Sequence, residues 1–116
     1  MALLLRERGA EAVEASLPGA WLSTVNLAEV IGKLVERGMP ASDARAAVEA
    51  LGVELVDFDA EQASATGALR KTTRDIGLSI GDRACLALAK SRAVPAITAD
   101  RAWAGLPGHQ VVLIRD

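Results

Sequence analysis

The sequence predicts one α/β domain with a central, mainly parallel sheet, and three observations lead to this prediction. Short apolar runs alternate with longer stretches of helical apolar spacing, which is the order of β-α-β units. Several runs are unbroken, as expected of strands buried on both faces. The chain has 116 residues, of which 51% are hydrophobic, and this is enough for one core. No linker or repeat divides it, so we expect a single domain over residues 1–116.

The first third of the chain predicts a helix, a strand and a second helix. Residues 2–17 have helical spacing that Pro18 ends, and the run 20–23 is a short strand. From Asn26 the apolar residues follow the spacing of one helix face until Gly38. An α/β fold normally begins with a strand, so this helical start predicts that the leading strand is missing and that the sheet has a gap. We therefore expect an N-terminally truncated domain.

The remaining elements follow from caps and apolar runs. Ser42 is the expected cap of a helix that runs to about residue 51, and residues 53–58 form the next strand. Asp59, with Gln62 at capping-box spacing, begins a helix towards Arg74. After a loop at 75–78, Ser79 caps an apolar helix, and two strands complete the chain; these last elements are expected at 80–92, 94–98 and 110–114.

Composition excludes several classes of protein. No apolar run approaches the roughly 20 residues that a membrane-spanning helix requires. The formal net charge of −2 argues against an overall basic nucleic-acid binder, so such contact requires a local patch. The single cysteine, Cys85, cannot form an intramolecular disulfide, and no secretion signal is seen. We therefore expect a cytoplasmic protein.

Three acidic residues stand out by their position. Glu29 and Asp82 are expected in the first turns of their helices, and Asp100 directly follows a predicted strand. In a parallel α/β sheet such positions lie along one edge, where ligands bind. Carboxylates that converge there repel one another unless a cation neutralises them, and oxygen ligands suit Mg²⁺ or Mn²⁺. The alternative is structural: Asn26 with Glu29, and Ser79 with Asp82, have capping-box spacing, and Asp100 can cap a turn.

Three segments, in this order and spacing, resemble the PIN-domain family and more narrowly the VapC-like toxins of type II toxin–antitoxin pairs. They are STVNLAEV at 23–30, SIGDRACLALA at 79–89 and AITADRAWAGL at 96–106. The resemblance implies a three-layer α/β/α domain and a Mg²⁺- or Mn²⁺-dependent endoribonuclease, often dimeric and held inactive by a cognate antitoxin. It assigns Glu29, Asp82 and Asp100 as catalytic metal ligands that orient water at an RNA phosphodiester.

The chain departs from this family at its front. The family's first strand ends in an aspartate that binds the metal, and the residues that should follow that aspartate are already at 2–4. Glu7, Glu11 and Glu14 lie further into the predicted helix and do not match the motif. One ligand of four is thus expected to be absent, which predicts weakened metal binding and little nuclease activity.

Basic residues lie near the candidate ligands. Arg70, Lys71 and Arg74 precede the loop at 75–78, and Arg83 and Arg101 follow two of the acids. Arginine makes bidentate phosphate contacts, so Arg70, Arg74 and Arg83 are candidates for RNA binding. The alternative is a solvated helix end, where cations are favoured.

Two functions of different classes therefore remain. The first is a PIN-type toxin endoribonuclease. The second is an inactive PIN-fold module that binds an antitoxin or a second copy of itself. A nucleotide-binding domain is a weaker third, because no glycine-rich phosphate loop is present. His109 is expected in an exposed loop and Cys85 as a small buried hydrophobe.

Overall fold

The computed structural model describes residues 19–98, 103 and 105–113. Within these ranges the elements follow the predicted alternation, and their bounds are β1 Trp21–Ser23, α1 Thr24–Glu36, α2 Ala41–Glu49, β2 Glu54–Val56, α3 Ala60–Thr72, a 3₁₀ turn at Arg74–Ile76, α4 Ile80–Ser91, β3 Ala96–Thr98 and β4 Val111–Leu113. The predicted helix at 2–17, and both Asp100 and Arg101, lie outside the described residues.

Polar side chains at the expected boundaries begin two of the helices. The Asp59 carboxylate accepts a hydrogen bond of 2.8 Å from the Gln62 backbone N–H at the start of α3. Ser79 forms a complete capping box at the start of α4. These caps satisfy backbone N–H groups that a first turn leaves unpaired, which is why they set the helix starts.

Two predicted helix starts are wrong. Helix α1 begins at Thr24 with Ser23 as its cap, whose side chain accepts from the Val25 N–H at 3.2 Å, so Asn26 lies inside the helix. Helix α2 follows Pro40 without a side-chain cap, and Ser42 is its second residue. In both cases the predicted cap is a polar residue of a type suited to capping, but it lies inside the helix and not immediately before its first residue.

The four described strands form two parallel pairs. In one pair Trp21, Leu22 and Ser23 lie opposite residues 54–56, and in the other Ala96, Ile97 and Thr98 lie opposite residues 111–113. Among the described residues β1 pairs with β2 and β3 pairs with β4, as two separate two-stranded sheets. The predicted α/β class with parallel strands is confirmed, and the sheet is divided between β1 and β3.

Each half of the sheet has its own buried cluster. The first joins β1, α1 and α2 through Leu22, Leu27, Val30 and Val48. The second joins α4 and β3 to the segment before β4, through residues Leu86, Ala89, Ala96 and Trp103. Helix α4 contacts both β1 and β3, and it also packs against α1 and α3. The structure is therefore held together across the divided sheet mainly by α4.

Within 19–98 and 105–113, none of the helices combines the length and the apolar character that spanning a bilayer requires.

Candidate functional site

A buried asparagine joins the two helices that carry the candidate carboxylates. Asn26 on α1 is 3% exposed, and its Nδ2 donates to the Gly81 carbonyl on α4 at 2.9 Å. The same Nδ2 donates to Glu29 Oε1 at 3.1 Å. One amide group thus fixes the contact between the helices and the position of Glu29.

The Glu29 carboxylate lies directly over the Cα of Gly81. A Cβ placed at Gly81 would collide with the Glu29 carboxyl carbon and both of its oxygens. Gly81 is in the first turn of α4, next to Asp82. The absence of a side chain at Gly81 is therefore what allows the Glu29 carboxylate to reach the N-terminal end of α4, beside the second candidate ligand.

Asp82 takes part in the capping box of α4. Its Oδ2 accepts from the Ser79 backbone N–H at 3.1 Å, and its own N–H donates to Ser79 Oγ at 3.1 Å. The structural interpretation of Asp82 is thus correct. A carboxylate offers about four lone-pair sites, so the bond to Oδ2 leaves capacity for a cation. The cap also holds the carboxylate in one orientation.

The structure brings Glu29 and Asp82 together around Cys85. Burial raises the pKa of the Cys85 thiol to about 11, and the negative charges of Asp82 and Glu29 act in the same direction. Both carboxylates are therefore close enough to act on one partly buried group. Carboxylate oxygens that converge in this way are the donors that Mg²⁺ or Mn²⁺ prefers.

The predicted position of Glu29 within its helix is wrong. Glu29 is the sixth residue of α1 and not in its first turn, so neither a capping box with Asn26 nor the positive end of the helix explains it. The sequence also missed the role of Asn26 as a bridge to α4, and that of Gly81. No local pattern indicates either, because each acts through a residue about fifty or more positions away.

The third candidate ligand, Asp100, lies outside the described residues. In the part of the chain that the structure describes, no three histidine, cysteine or acidic side chains form a group that could hold a metal ion. The described part of the site is therefore a pair of carboxylates, Glu29 and Asp82, and its donor set fits a hard cation that takes further oxygen ligands.

The basic candidates divide into two groups. Arg70 and Lys71 are exposed in the last turn of α3, and Arg74 is exposed in the following 3₁₀ turn. Arg83, next to Asp82, is partly buried, and its Nε has no hydrogen-bond partner among the described residues. An unpartnered buried N–H is unfavourable, so the Arg83 Nε has unused hydrogen-bonding capacity.

Neither His109 nor Cys85 is exposed. His109 is partly buried, and burial together with Lys90 lowers its pKa. Cys85 is partly buried on α4. The expectation of an exposed His109 is wrong, because the residue lies against a small cavity of 210 Å³ beside Lys90 and Leu86.

Comparisons with known proteins identify the fold. The profile of the PIN domain matches residues 1–108. A toxin–antitoxin complex from Klebsiella pneumoniae contains a chain 26% identical, with a TM-score of 0.74, covering 96% of this chain and 88% of that one. A DNA-bound VapBC from Salmonella typhimurium has 25% identity and a TM-score of 0.63, covering 79% and 73%. No curated protein matches the chain by sequence.

A third solved structure has higher identity. VapBC-5 from Mycobacterium tuberculosis contains a chain 30% identical to this one, with a TM-score of 0.51, covering 81% of this chain and 79% of that one. That structure is of a member of the VapBC family of toxin–antitoxin systems. The resemblance of three short segments to the VapC-like proteins agrees with these matches. The chain belongs to the PIN-domain family, and the solved structures it resembles are toxin–antitoxin complexes.

Proposed function

We propose that this protein is a Mg²⁺- or Mn²⁺-dependent endoribonuclease and the toxin of a type II toxin–antitoxin pair. The observation that carries the proposal is the placement of the Glu29 carboxylate over Gly81, next to Asp82. The carboxylate oxygens of Glu29 and Asp82 at one helix end are hard donors that suit a divalent cation. Membership of the PIN family and the likeness to toxin–antitoxin complexes support the same assignment.

Glu29 and Asp82 would hold the metal, with Asp100 as the third expected ligand. A bound Mg²⁺ or Mn²⁺ supplies a polarised water and stabilises charge on phosphoryl oxygens. Asn26 orients Glu29 through the 3.1 Å hydrogen bond, and Ser79 orients Asp82. These contacts fix both carboxylates before an ion arrives, which reduces the entropy lost on binding.

The basic residues complete the proposed substrate site. Arg83 has a buried Nε without a described partner, so it is suited to a phosphate oxygen next to the carboxylates. Arg70 and Arg74 are exposed and would contact the RNA backbone outside the site. Phosphate contacts of this kind position RNA but do not select a sequence.

The experiment is a Mn²⁺ titration by calorimetry of the full chain, followed by RNA cleavage under the same conditions. We expect saturable binding that Asp82→Asn and Glu29→Gln each weaken by at least about tenfold, since each removes one charged ligand. Arg37→Gln is the control variant, because Arg37 is exposed at the end of α1. Binding that is unchanged in both carboxylate variants would contradict the proposed site.

A second candidate function is a catalytically inactive PIN-fold module that binds an antitoxin or another copy of this chain. Exposed apolar side chains near the start of α4 favour it, since Ile80 is 56% exposed and Ile76 is 37% exposed. RNA cleavage measured together with the Mn²⁺ titration separates the two functions, because an inactive module does not cleave RNA. Metal binding without RNA cleavage would favour the module.

The cellular setting is part of the proposal. We propose that the chain is a single domain over residues 1–116 that acts in the cytoplasm as a homodimer, with RNA as substrate and a cognate antitoxin as inhibitor. The likeness to chains of toxin–antitoxin complexes supports the antitoxin partner. Light scattering of the purified chain tests the dimer, and co-purification with an antitoxin encoded beside it tests the complex.

A further inference from the structure

A small pocket lies at the C-terminal end of α4, whereas the candidate metal site lies at the N-terminal end of the same helix. Its volume is 210 Å³. Residues of α4, including Leu86 and Lys90, line one side, and the start of β3 and the turn at 108–110 line the other. The pocket therefore belongs to the second half of the sheet, and its described lining includes neither Glu29 nor Asp82.

Backbone hydrogen bonds fix both walls of the pocket. On the helix side, the Val94 N–H donates to the Ala89 carbonyl at 3.0 Å. On the other side, the His109 N–H donates to the Leu106 carbonyl at 3.3 Å. These bonds are made within the protein itself, so the shape of the pocket is preformed. A preformed pocket lowers the entropy cost of ordering its walls around a ligand.

The floor of the pocket is apolar and its rim is basic. The side chains of Leu86, Ala89 and Ala96 are buried. At the rim, Lys90 Nζ lies 3.5 Å from the position that a Cβ on Gly108 would occupy. The ammonium group of Lys90 thus reaches from α4 to the turn before β4, across the side of the pocket.

Two basic side chains meet at this rim without an acidic partner. Burial and the charge of Lys90 both lower the pKa of His109, so the ammonium group is close to the imidazole. Among the described residues, no acid forms an ion pair with Lys90, and no group forms a hydrogen bond with the His109 ring. The described lining contains no acid either. A lysine in the last turn is favoured by the helix dipole alone, and the experiment below includes a control for this alternative.

A ligand that matches both parts of the pocket needs an anionic group for the rim and an apolar body for the floor. At 210 Å³ the pocket is smaller than the roughly 300–1,000 Å³ that drug-sized ligands occupy, so this ligand is small. A carboxylate accepts hydrogen bonds from an ammonium group and from a neutral imidazole N–H. A short branched aliphatic tail would displace water from the apolar floor.

We propose that this pocket binds the anion of a small aliphatic carboxylic acid. Lys90 and His109 hold the carboxylate, and the aliphatic tail packs against Leu86 and Ala89. The site is separate from the candidate carboxylate pair, so the proposal does not depend on metal binding or RNA cleavage.

The test is a titration of the full chain with 4-methylpentanoate, followed by proton NMR. His109 is the only histidine in the sequence, so its imidazole resonance reports on the pocket alone. We expect a saturable shift of this resonance. The pKa of His109 should rise in the complex, because a nearby negative charge stabilises the imidazolium form.

Two analogues of the probe separate charge from apolar contact. 4-Methylpentanamide has the same shape without the charge, and we expect it to bind at least about tenfold more weakly, since hydrogen bonds to a charged group are lost. Acetate keeps the charge but lacks the carbons that the floor would bury. We expect acetate also to bind at least about tenfold more weakly.

A pair of lysine variants tests the rim. Lys90→Gln should weaken binding of 4-methylpentanoate at least about tenfold, and it should raise the pKa of His109 without the probe. Lys33→Gln is the matched control, because Lys33 is an exposed lysine in the last turn of α1 and should change neither quantity. Circular dichroism of both variants establishes that they are folded.

Three results would overturn the proposal. The first is a His109 resonance that does not move at probe concentrations up to the solubility limit. The second is equal binding of 4-methylpentanoate and either analogue, which would indicate apolar adsorption in the case of the amide and attraction by charge alone in the case of acetate. The third is equal binding of 4-methylpentanoate by the two lysine variants, which would show that Lys90 has no particular role.

Discussion

The carboxylate of Glu29 rests on Gly81, and this contact couples two helices that are distant in sequence. Asn26 reinforces it by donating to both the Glu29 carboxylate and the Gly81 carbonyl. The candidate site is therefore built at the crossing of α1 and α4. Its geometry depends on one glycine and one amide as much as on the carboxylates themselves.

Gly81→Ala is expected to displace the Glu29 carboxylate. The added methyl group would occupy the position of the Glu29 carboxylate. Replacing a helical glycine by alanine usually raises the free energy of unfolding by up to about 1 kcal/mol, and we expect this gain to be absent. The affinity for a divalent ion should also fall, because Glu29 is displaced. Gly67→Ala on α3 is the matched control, because nothing lies within 4 Å of its added Cβ. Urea unfolding should show stabilisation in Gly67→Ala alone, and equal stabilisation of both variants would contradict the contact.

Asn26→Ala is expected to lower the free energy of unfolding by about 1–3 kcal/mol. The change removes the two hydrogen bonds that the Asn26 amide donates, to the Gly81 carbonyl and to the Glu29 carboxylate, and their loss costs this much. Gln62→Ala is the control, because the amide of Gln62 donates to Ser91 Oγ at 3.3 Å in an exposed position. Chemical denaturation measures both. A decrease in Asn26→Ala no larger than that in Gln62→Ala would show that the bridge contributes little.

Ser79→Ala and Asp82→Asn are expected to separate the capping role from metal binding. Ser79→Ala removes the cap of the Asp82 N–H and should cost about 1 kcal/mol in unfolding free energy, while leaving the carboxylate charge in place. Asp82→Asn keeps an oxygen that accepts from the Ser79 N–H but removes the charge. Mn²⁺ titration should therefore show strong binding in Ser79→Ala and weak binding in Asp82→Asn. The reverse order would exclude Asp82 as a ligand.

Stability is expected to fall at alkaline pH because of Cys85. Its pKa is raised from 9.0 to about 11, so between these values the unfolded chain releases a proton that the folded chain keeps. Unfolding is then favoured as pH rises from 9 to 11, with a decrease in stability of about 2 kcal/mol relative to neutral pH. Cys85→Ala should not show this fall, and thermal unfolding at a series of pH values measures the difference.

A divalent cation is expected to lower the pKa of Cys85. The charges of Asp82 and Glu29 contribute to its rise, and a bound ion compensates them, although the effect of burial remains. The rate of thiol alkylation as a function of pH gives this pKa with and without Mn²⁺. An unchanged alkylation profile at saturating Mn²⁺ would place the ion away from these carboxylates.

Charge reversal at Arg70 and Arg74 is expected to weaken RNA binding without changing its sequence preference. For each phosphate contact removed, the slope of the logarithm of the binding constant against the logarithm of salt concentration should become shallower by about 1. Arg45→Glu is the control, since Arg45 lies on α2 and pairs with Glu49 at 2.8 Å. Filter binding at several salt concentrations provides the slopes, and identical slopes for all variants would remove Arg70 and Arg74 from the interface.

Local signals in the sequence were sufficient for the class of fold. The alternation of apolar runs and helical spacing predicted parallel strands between helices, and the capping residues Asp59 and Ser79 set two helix starts correctly. These features depend on neighbours within a few residues, so they are visible in a linear sequence. The errors at Asn26 and Ser42 arose because each is a polar residue with capping chemistry that lies just inside the helix.

The sequence by itself determined which residues are candidates for the chemistry, because the positions of Glu29 and Asp82 along the chain and the family resemblance both single them out. Only the tertiary structure decided how they meet. The contact of Glu29 with Gly81 and the amide that bridges α1 and α4 both depend on packing between segments far apart in the chain. Such contacts form when helices dock and strands pair, and no local spacing records them.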